Sequence, residues 1–319
     1  MSNNKQFIVS HAPFWHDGSS IFEKNYTTML ALLPALFLGL ATYGGLAVGV
    51  IALSVSSAIF WELAMNHATK RPITIGDGQA ALIGLLFGMM LPATMPWWAV
   101  LTGTLVAVVI GKEIFGGIGS NPFNPAALSV AILMVSWKDL FNFDAMLLNY
   151  DLGFAMAYPL ASLKNFGVSS VAHLEPLELL FGRQTGGIGA TFGGGLILGG
   201  FFLCVRGFIR WEIPISFLAS LFLTALMFHI ADPARFAGPF FHMFTGYTLL
   251  GAFFLATDDS SSPVNFIPML LYGALGGMMT VLIRNIGVYV DGVVLAILVA
   301  NLLSPILDKI RPKAMGKVV

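Results

Sequence analysis

Charge is what this sequence has least of. Of its 319 residues only 10% are charged, while 57% are hydrophobic. Soluble domains carry about 25% charged residues. The deficit excludes an ordinary soluble enzyme and places the chain in the membrane class. Sixteen Lys and Arg balance sixteen Asp and Glu, and no basic block or acidic tail is present, so nucleic acid is not expected as a partner. Cysteine is almost absent. Cys204 is the only one, which excludes an intrachain disulfide and a thiolate-held metal cluster. Any electron-carrying centre must then be organic or shared with another subunit, and no metal site is expected. His11 and His16 are too isolated to argue one. The first 25 residues are polar, with His11, His16, Asp17 and Glu23 among them, and they lack the apolar stretch of a cleavable signal peptide. Soluble catalytic signatures are missing too. There is no Walker loop, GxSxG, CxxC or HExxH, so no complete active site is expected in this chain alone.

What the chain does have is long apolar runs. A spanning helix needs about 20 mainly apolar residues. Ten candidates occur, at 27–43, 45–66, 79–93, 96–112, 124–138, 190–209, 212–230, 238–256, 266–284 and 289–308. The runs at 79–93 and 124–138 are short and bounded by Pro92, Pro122 and Pro125, the pattern of broken or half-length helices. The expected fold is therefore an all-α polytopic membrane protein of about ten transmembrane helices. One long loop, 139–189, separates a first five-helix half (1–138) from a second (190–319). Five helices per half would set the halves in opposite orientation, as inverted repeats; GLLFGMMLP (84–92) and GAFFLATDDSSSP (251–263) occupy matching places. Placing both termini in the cytoplasm puts Lys5, Lys24, Lys70, Arg71, Lys112, Arg206, Arg210, Lys309, Arg311, Lys313 and Lys317 inside, as the positive-inside rule requires. The loop, with Asp139, Asp144, Asp151, Lys164 and Arg183, then faces outward. Arg284, after an apolar stretch, is expected to snorkel to the outer face.

Three features could carry chemistry. Gly187, Gly189, Ala190 and Thr191 lie in GGIGAT, where the outer loop becomes the sixth helix. A hydroxyl at this water interface, beside small residues and a helix N-terminus, suits a phosphate. From the residues alone the plainer reading weighs more, with Thr191 as a cap and the glycines as packing. Asn121 and Asn124 sit between prolines in SNPFNP. They either line a cavity and hydrogen-bond a polar ring ligand or satisfy a local turn, and both readings stay open. The acids near span ends, Asp77, Glu113, Asp258 and Asp259, are candidates for an ion pathway, because ionisable groups near the bilayer are costly and often functional. Glu62 also falls within a span. Trp97 and Trp98 read as interfacial anchors. The pairs Gly84/Gly88, Gly195/Gly199 and Gly273/Gly277 read as packing seams.

Several segments in fixed order resemble a known family. They are LALLPALFLGL (30–40), GDGQAALIGLLFGMMLP (76–92), IGKEIFGGIGSNPFNPAAL (110–128), GGIGAT (186–191), FFLATD (253–258) and LYGALGGMMTVLIRNIGVYVDGVVLAILVANLLSP (271–305). The set resembles RnfD, the D-type component of the Rnf electron-transport complex, and the related B-type component, NqrB, of the sodium-pumping NADH:quinone oxidoreductase. The shorter N-terminal region favours the Rnf side. The resemblance implies a bacterial inner-membrane subunit of a complex that couples electron exchange between ferredoxin and NAD to Na⁺ or H⁺ movement. It implies FMN held by a phosphoester at Thr191 and a second, noncovalent flavin, riboflavin, for which Asn121 and Asn124 are candidates. The implied partners are the A-, B-, C-, E- and G-type components of the Rnf complex, one of them bearing another covalent flavin. Here Ile188 stands where the family element often has Ser, and Asp259 where its ATDP element has Pro. The rival readings are a channel or transporter-like subunit with no redox cofactor, a structural scaffold for redox subunits, and the B-type component of the quinone reductase itself.

Overall fold

The structure, a computed structural model, describes residues 20–144 and 158–310. Lys5, His11, His16, Asp17, Asp151, Arg311, Lys313 and Lys317 lie outside the described residues. The described chain is helical, with no strand among the described residues.

Helix formation starts at Ser20, whose hydroxyl accepts from the Glu23 amide at 3.1 Å, an N-cap with an acid in the first turn. The continuous helix Ile21–Ala68 has 48 residues. A straight helix of that length would run about 72 Å, over twice the hydrocarbon thickness. Gly44 breaks it with φ 61° and ψ −146°, a left-handed conformation that glycine alone adopts cheaply. The chain reverses there. Asn25 Nδ2 donates to the Asp77 carbonyl at 2.8 Å and Asn66 Nδ2 to Thr74 Oγ1 at 3.0 Å, so both ends of the pair meet one short segment. The two arms are α1 (21–43) and α2 (45–68), close to the predicted spans.

The remaining spans follow the predicted order. They are α3 (Gln79–Met90), α4 (Trp97–Leu105, running on as a π turn Val106–Ile110) and α5 (Pro125–Ser136). The loop carries α6 (Pro159–Phe166) and α7 (Pro176–Leu180). Then come α8 (Gly193–Val205), α9 (Glu212–Ala231), a broken span of α10 (Pro239–Phe244) and α11 (Thr248–Leu250, running on as a π turn Gly251–Leu255), α12 (Phe266–Asn285) and α13 (Val293–Leu307). The three predicted glycine seams are real. A Cβ on Gly84 would lie 2.7 Å from the Ser54 carbonyl, on Gly195 2.9 Å from the Ala35 amide, and on Gly273 2.6 Å from the Ile213 carbonyl. Small residues thus bring α3 onto α2, α8 onto α1 and α12 onto α9 where lipid offers no hydrophobic drive.

Contacts sort the connections onto two faces. On the amino-terminal face Lys24 pairs with Asp259, Arg206 with Glu23, and the Val264 amide donates to Asp308. On the opposite, loop face, Lys164 Nζ donates to the Gly287 and Tyr289 carbonyls, each at 2.6 Å, and Trp98 packs edge-on to Trp137. Exposed apolar side chains such as Phe37, Leu198, Phe201 and Met227 cover helix surfaces between the faces, as lipid contact requires.

Arg284 departs from expectation. It does not snorkel; its side chain is buried. Nη2 pairs with Asp291 Oδ1 at 2.9 Å, and Nη1 donates to the His242 carbonyl at 2.6 Å. Nη2 also reaches the Thr245 carbonyl and Thr248 Oγ1. The cause is the break between α10 and α11, which frees carbonyls that only a multidentate donor can satisfy away from water.

Candidate cofactor sites

On the loop face the decisive element is the segment 184–191. The sequence places it at the water interface, but every residue in it is buried. It reaches the C-terminal end of α3. A twelve-residue helix leaves its last carbonyls short of the interface, and buried carbonyls need partners. Gly189 N–H donates to Met89 O at 2.9 Å, Tyr247 Oη to Met90 O at 2.7 Å and Ile188 N–H to Leu91 O at 3.0 Å. Glycine permits the approach: a Cβ on Gly187 would lie 2.8 Å from Met89 O and 3.0 Å from Met90 O, and one on Gly189 would overlap the Met89 side chain. Gly187 and Gly189 therefore act first as close-packing backbone.

Thr191 follows this segment. It is only 6% exposed. It does not cap α8: Phe192 is the cap residue and no side chain caps that helix. The plainer reading of Thr191 is thereby corrected. Among the described residues its hydroxyl makes no hydrogen bond, while its carbonyl accepts from Gln184 Nε2. Gly186 lies beside both Thr191 and the Tyr158 ring: its missing Cβ would be 3.2 Å from Thr191 Cγ2 and 3.8 Å from Tyr158 Cε2. Tyr158 and Tyr247 wall a cavity of about 320 Å³ that Phe143, Lys138, Asn165 and Asp291 also line. Burial, with the nearby Asp291 carboxylate, holds the Tyr158 phenol well above its ordinary pKa, so it stays protonated. Its oxygen, Thr185 Oγ1 and Gln184 Oε1 are buried without partners. Asp291 Oδ2 accepts from the Tyr247 amide at 2.7 Å, so the Arg284–Asp291 pair fixes one wall of the cavity. Sequence reasoning treats Arg284 alone and passes over Asp291; their seven-residue spacing in an apolar stretch is the available signal.

The second cavity lies on the amino-terminal face, about 190 Å³, lined by Lys24, Asn25, Gln79, Asn124, Phe254 and Asp258 among others. The local reading holds for both asparagines, and Asn124 also lines the cavity. Asn124 caps α5 by accepting from the Ala127 amide at 3.0 Å and donates to the Leu255 carbonyl at 3.1 Å. Asn121 donates to the Phe123 carbonyl and to Asp258 Oδ2, each at 3.0 Å. Two turns from separate halves are thus tied together beside a cavity. Asn121 Oδ1, Asp77 Oδ2 and Gln79 Oε1 are buried without partners.

The candidate acids do not form one group. Asp258 accepts from Ser261 Oγ and Asn121; burial raises its pKa against these bonds, and Asp259 adds repulsion. Burial likewise raises Asp77, opposed by the Gln79 amide and Lys112 and reinforced by Glu62. Glu113 stands in a different cluster. Lys112 Nζ lies 2.7 Å from Glu62 Oε1 and 3.6 Å from Glu113 Oε1, and Arg71 reaches Glu113 at 3.8 Å. Lys112 and Glu62 side chains are 1% and 0% exposed. Lys112, a loop cation by sequence, is thus a buried counter-ion, with Thr74 Oγ1 also donating to Glu62. Among the described residues no cluster of His, Cys, Asp and Glu could hold a metal.

Both cavities and this ionic cluster fall within one family match. The model of the NQR2, RnfD, RnfE family matches residues 8–316. The chain belongs to this family. It is similar to proteins named as the D-type component (RnfD) of an ion-translocating oxidoreductase complex. Those from Aeromonas salmonicida and Pectobacterium carotovorum are 35% and 32% identical to it, each aligned over 97% of this chain and 99% of the relative. The one from Erwinia tasmaniensis is 33% identical over 97% of this chain and 98% of its own length. Family membership spans the segments of Asn121, Asn124, Thr191 and Asp258 alike, so the two cavities belong to the family region rather than to an appended part.

Proposed function

We propose that the chain is the D-type membrane component of an Rnf-type ferredoxin:NAD oxidoreductase, an ion-translocating complex of the bacterial inner membrane, and that it carries electrons through FMN esterified to Thr191. The observation that carries this reading is the Thr191 hydroxyl, which makes no hydrogen bond among the described residues, on a side chain whose methyl lies across Gly186 from Tyr158, a wall of the loop-face cavity. The residues fit the group. A hydroxyl without a partner can take a phosphoester. Flat aromatic walls suit a ring system, and buried atoms such as Thr185 Oγ1 and Gln184 Oε1 lack partners that a ribityl chain would supply.

When bound, the flavin supplies one- and two-electron chemistry, and the protein places and tunes it. Thr191 would hold the phosphate, Tyr158 and Tyr247 would line the ring's space, and Lys138 and Asn165 would offer it hydrogen-bond donors. Asn124 borders the second cavity and Asn121 holds Asp258, which also lines it; we assign this cavity to the noncovalent riboflavin. Asp258, Asp77 and Glu113 hold a proton or Na⁺ on the amino-terminal face, with both termini cytoplasmic. The other subunits of the complex deliver and remove electrons.

Flavin fluorescence in a denaturing gel tests the reading, with the chain co-expressed with a flavin transferase beside Thr191→Ala. A fluorescent wild-type band that is lost in Thr191→Ala is the expected result. A dark wild-type band, with the transferase active on another target, would mean that Ile188 in place of Ser blocks attachment, and the channel and scaffold readings would replace this one.

A further inference from the structure

A third cavity on the loop face, about 320 Å³, opens between α6, the 232–238 turn and the end of α12. It differs from the other two in charge. Lys164, Arg235 and Arg284 line it together with Asn285, and no carboxylate lines it among the described residues. Arg284 is neutralised by Asp291; the other two cations are not. Lys164 uses two of its three N–H donors on the Gly287 and Tyr289 carbonyls and keeps one free. Burial and the Lys138 charge lower its pKa, the signature of a cation lacking a counter-charge. Arg235 makes no ion pair among the described residues; its guanidinium lies 5.4 Å from the Phe236 ring centroid. Asn285 Nδ2 is buried with no acceptor. The cavity thus gathers a buried amide donor with no acceptor, a costly state, a lysine with one donor to spare and an exposed arginine with no ion pair among the described residues.

We infer that this cavity binds the phosphate group of an anionic phospholipid. A phosphodiester brings several acceptor oxygens and a full negative charge, and it pairs with arginine in a fork. Basic pockets between membrane helices take such head groups. The rim indicates a lipid as the source of the phosphate. Phe166, which precedes the lining residue Gly167, and Ile286 and Val288, which flank Gly287 beside Asn285, are 75%, 71% and 75% exposed, and acyl chains would cover them. The inference stands whether or not Thr191 carries flavin.

The test is thermal unfolding of the detergent-purified full chain with added dioleoyl phosphatidylglycerol, with diacylglycerol, and with inorganic phosphate. A saturable rise in Tm with phosphatidylglycerol alone is expected. Arg235→Gln, at an exposed side chain without an ion pair, should leave the lipid-free Tm unchanged and weaken the lipid response on the order of tenfold, the weight of one charge-assisted hydrogen bond; Arg235→Lys should keep most of it. An equal rise with inorganic phosphate would overturn the lipid assignment. No rise, or a rise unchanged by Arg235→Gln, would overturn the site and leave the cations to a carboxylate of another protein in the complex.

Discussion

Gly39 offers a sharp test of how the Thr191 segment is held. A Cβ at Gly39 would overlap the Ile188 carbonyl oxygen, a backbone atom with no rotamer to escape into. Ile188 is pinned by its N–H on Leu91 O and by the neighbouring Gly189 N–H on Met89 O. Gly39→Ala must therefore move the 184–191 segment by more than an ångström or part α1 from it. Overpacking costs about 1–3 kcal/mol, and two buried backbone hydrogen bonds that stretch or break add roughly 1 kcal/mol each or more. The expected destabilisation is about 3–5 kcal/mol on these terms. Gly49→Ala is the matched control. It lies in α2 with nothing within 4 Å of its Cβ position, and a helical Gly→Ala change there should stabilise by about 0.5–1 kcal/mol. Both variants would be followed by thermal unfolding in detergent, and by flavin retention at Thr191 if that ester forms. Gly39→Ala must fall well below wild type while Gly49→Ala equals or exceeds it. Equal stability of the two would mean that 184–191 does not thread beside α1 as the structure has it.

Two further predictions concern the amino-terminal face. Lys112 answers two buried carboxylates, whereas Glu62 answers one cation that keeps Glu113 at 3.6 Å; Lys112→Met should therefore cost about 3–5 kcal/mol by stranding buried charge, and Glu62→Gln only about 1–3 kcal/mol, so a reversed order in denaturation midpoints would refute the assignment. Asp77 has its pKa raised above 3.8 by burial. Its favourable contribution is complete below the unfolded pKa and is lost as pH rises through the folded one, so Asp77→Asn should stabilise the chain at neutral pH and flatten the fall in stability above about pH 4, read as Tm against pH; a destabilised Asp77→Asn would show that its ionised form is held by partners instead.

The spans were legible because hydropathy and proline mark them directly. Gly44-Gly45 separates two apolar runs in the sequence, and the chain reverses there at the non-helical Gly44. Pro92 ends the third run close to where α3 stops. Burial of GGIGAT was not legible. Small residues read equally well as a wet turn or as tight packing, and only the end of α3, a hundred residues earlier, decides between them. The Glu62–Lys112 and Arg284–Asp291 pairs were hidden for a related reason. Glu62 reads as lying within a span and Lys112 and Arg284 as interfacial, and the partner that buries each is set by the fold. The break at 245–247 was likewise masked by apolar neighbours, since the hydrogen bonds that Arg284 and Asp291 supply there leave no local pattern.

The short helices account for both cavities. α3 is twelve residues long, about 18 Å, against a hydrocarbon layer of about 30 Å. Its ends must stop inside the protein, and each end needs polar partners there. At the C-terminal end those partners are Gly189, Ile188 and Tyr247, which place Thr191 and one cavity wall. At the other end Gln79, on which Asp77 closes through the Gln79 amide at 2.7 Å, borders the second cavity. α11 runs the opposite way between the same two places, from Tyr247 at the loop face to Leu255, whose carbonyl holds Asn124. Two half-length helices thus thin the protein between the cavities to well under a membrane's thickness. Lengthening either by a turn would push a capped, buried end away from its partners, so a helical insertion after Leu86 should disrupt both sites together, whereas an insertion in the fully spanning α9 should disturb neither cavity wall.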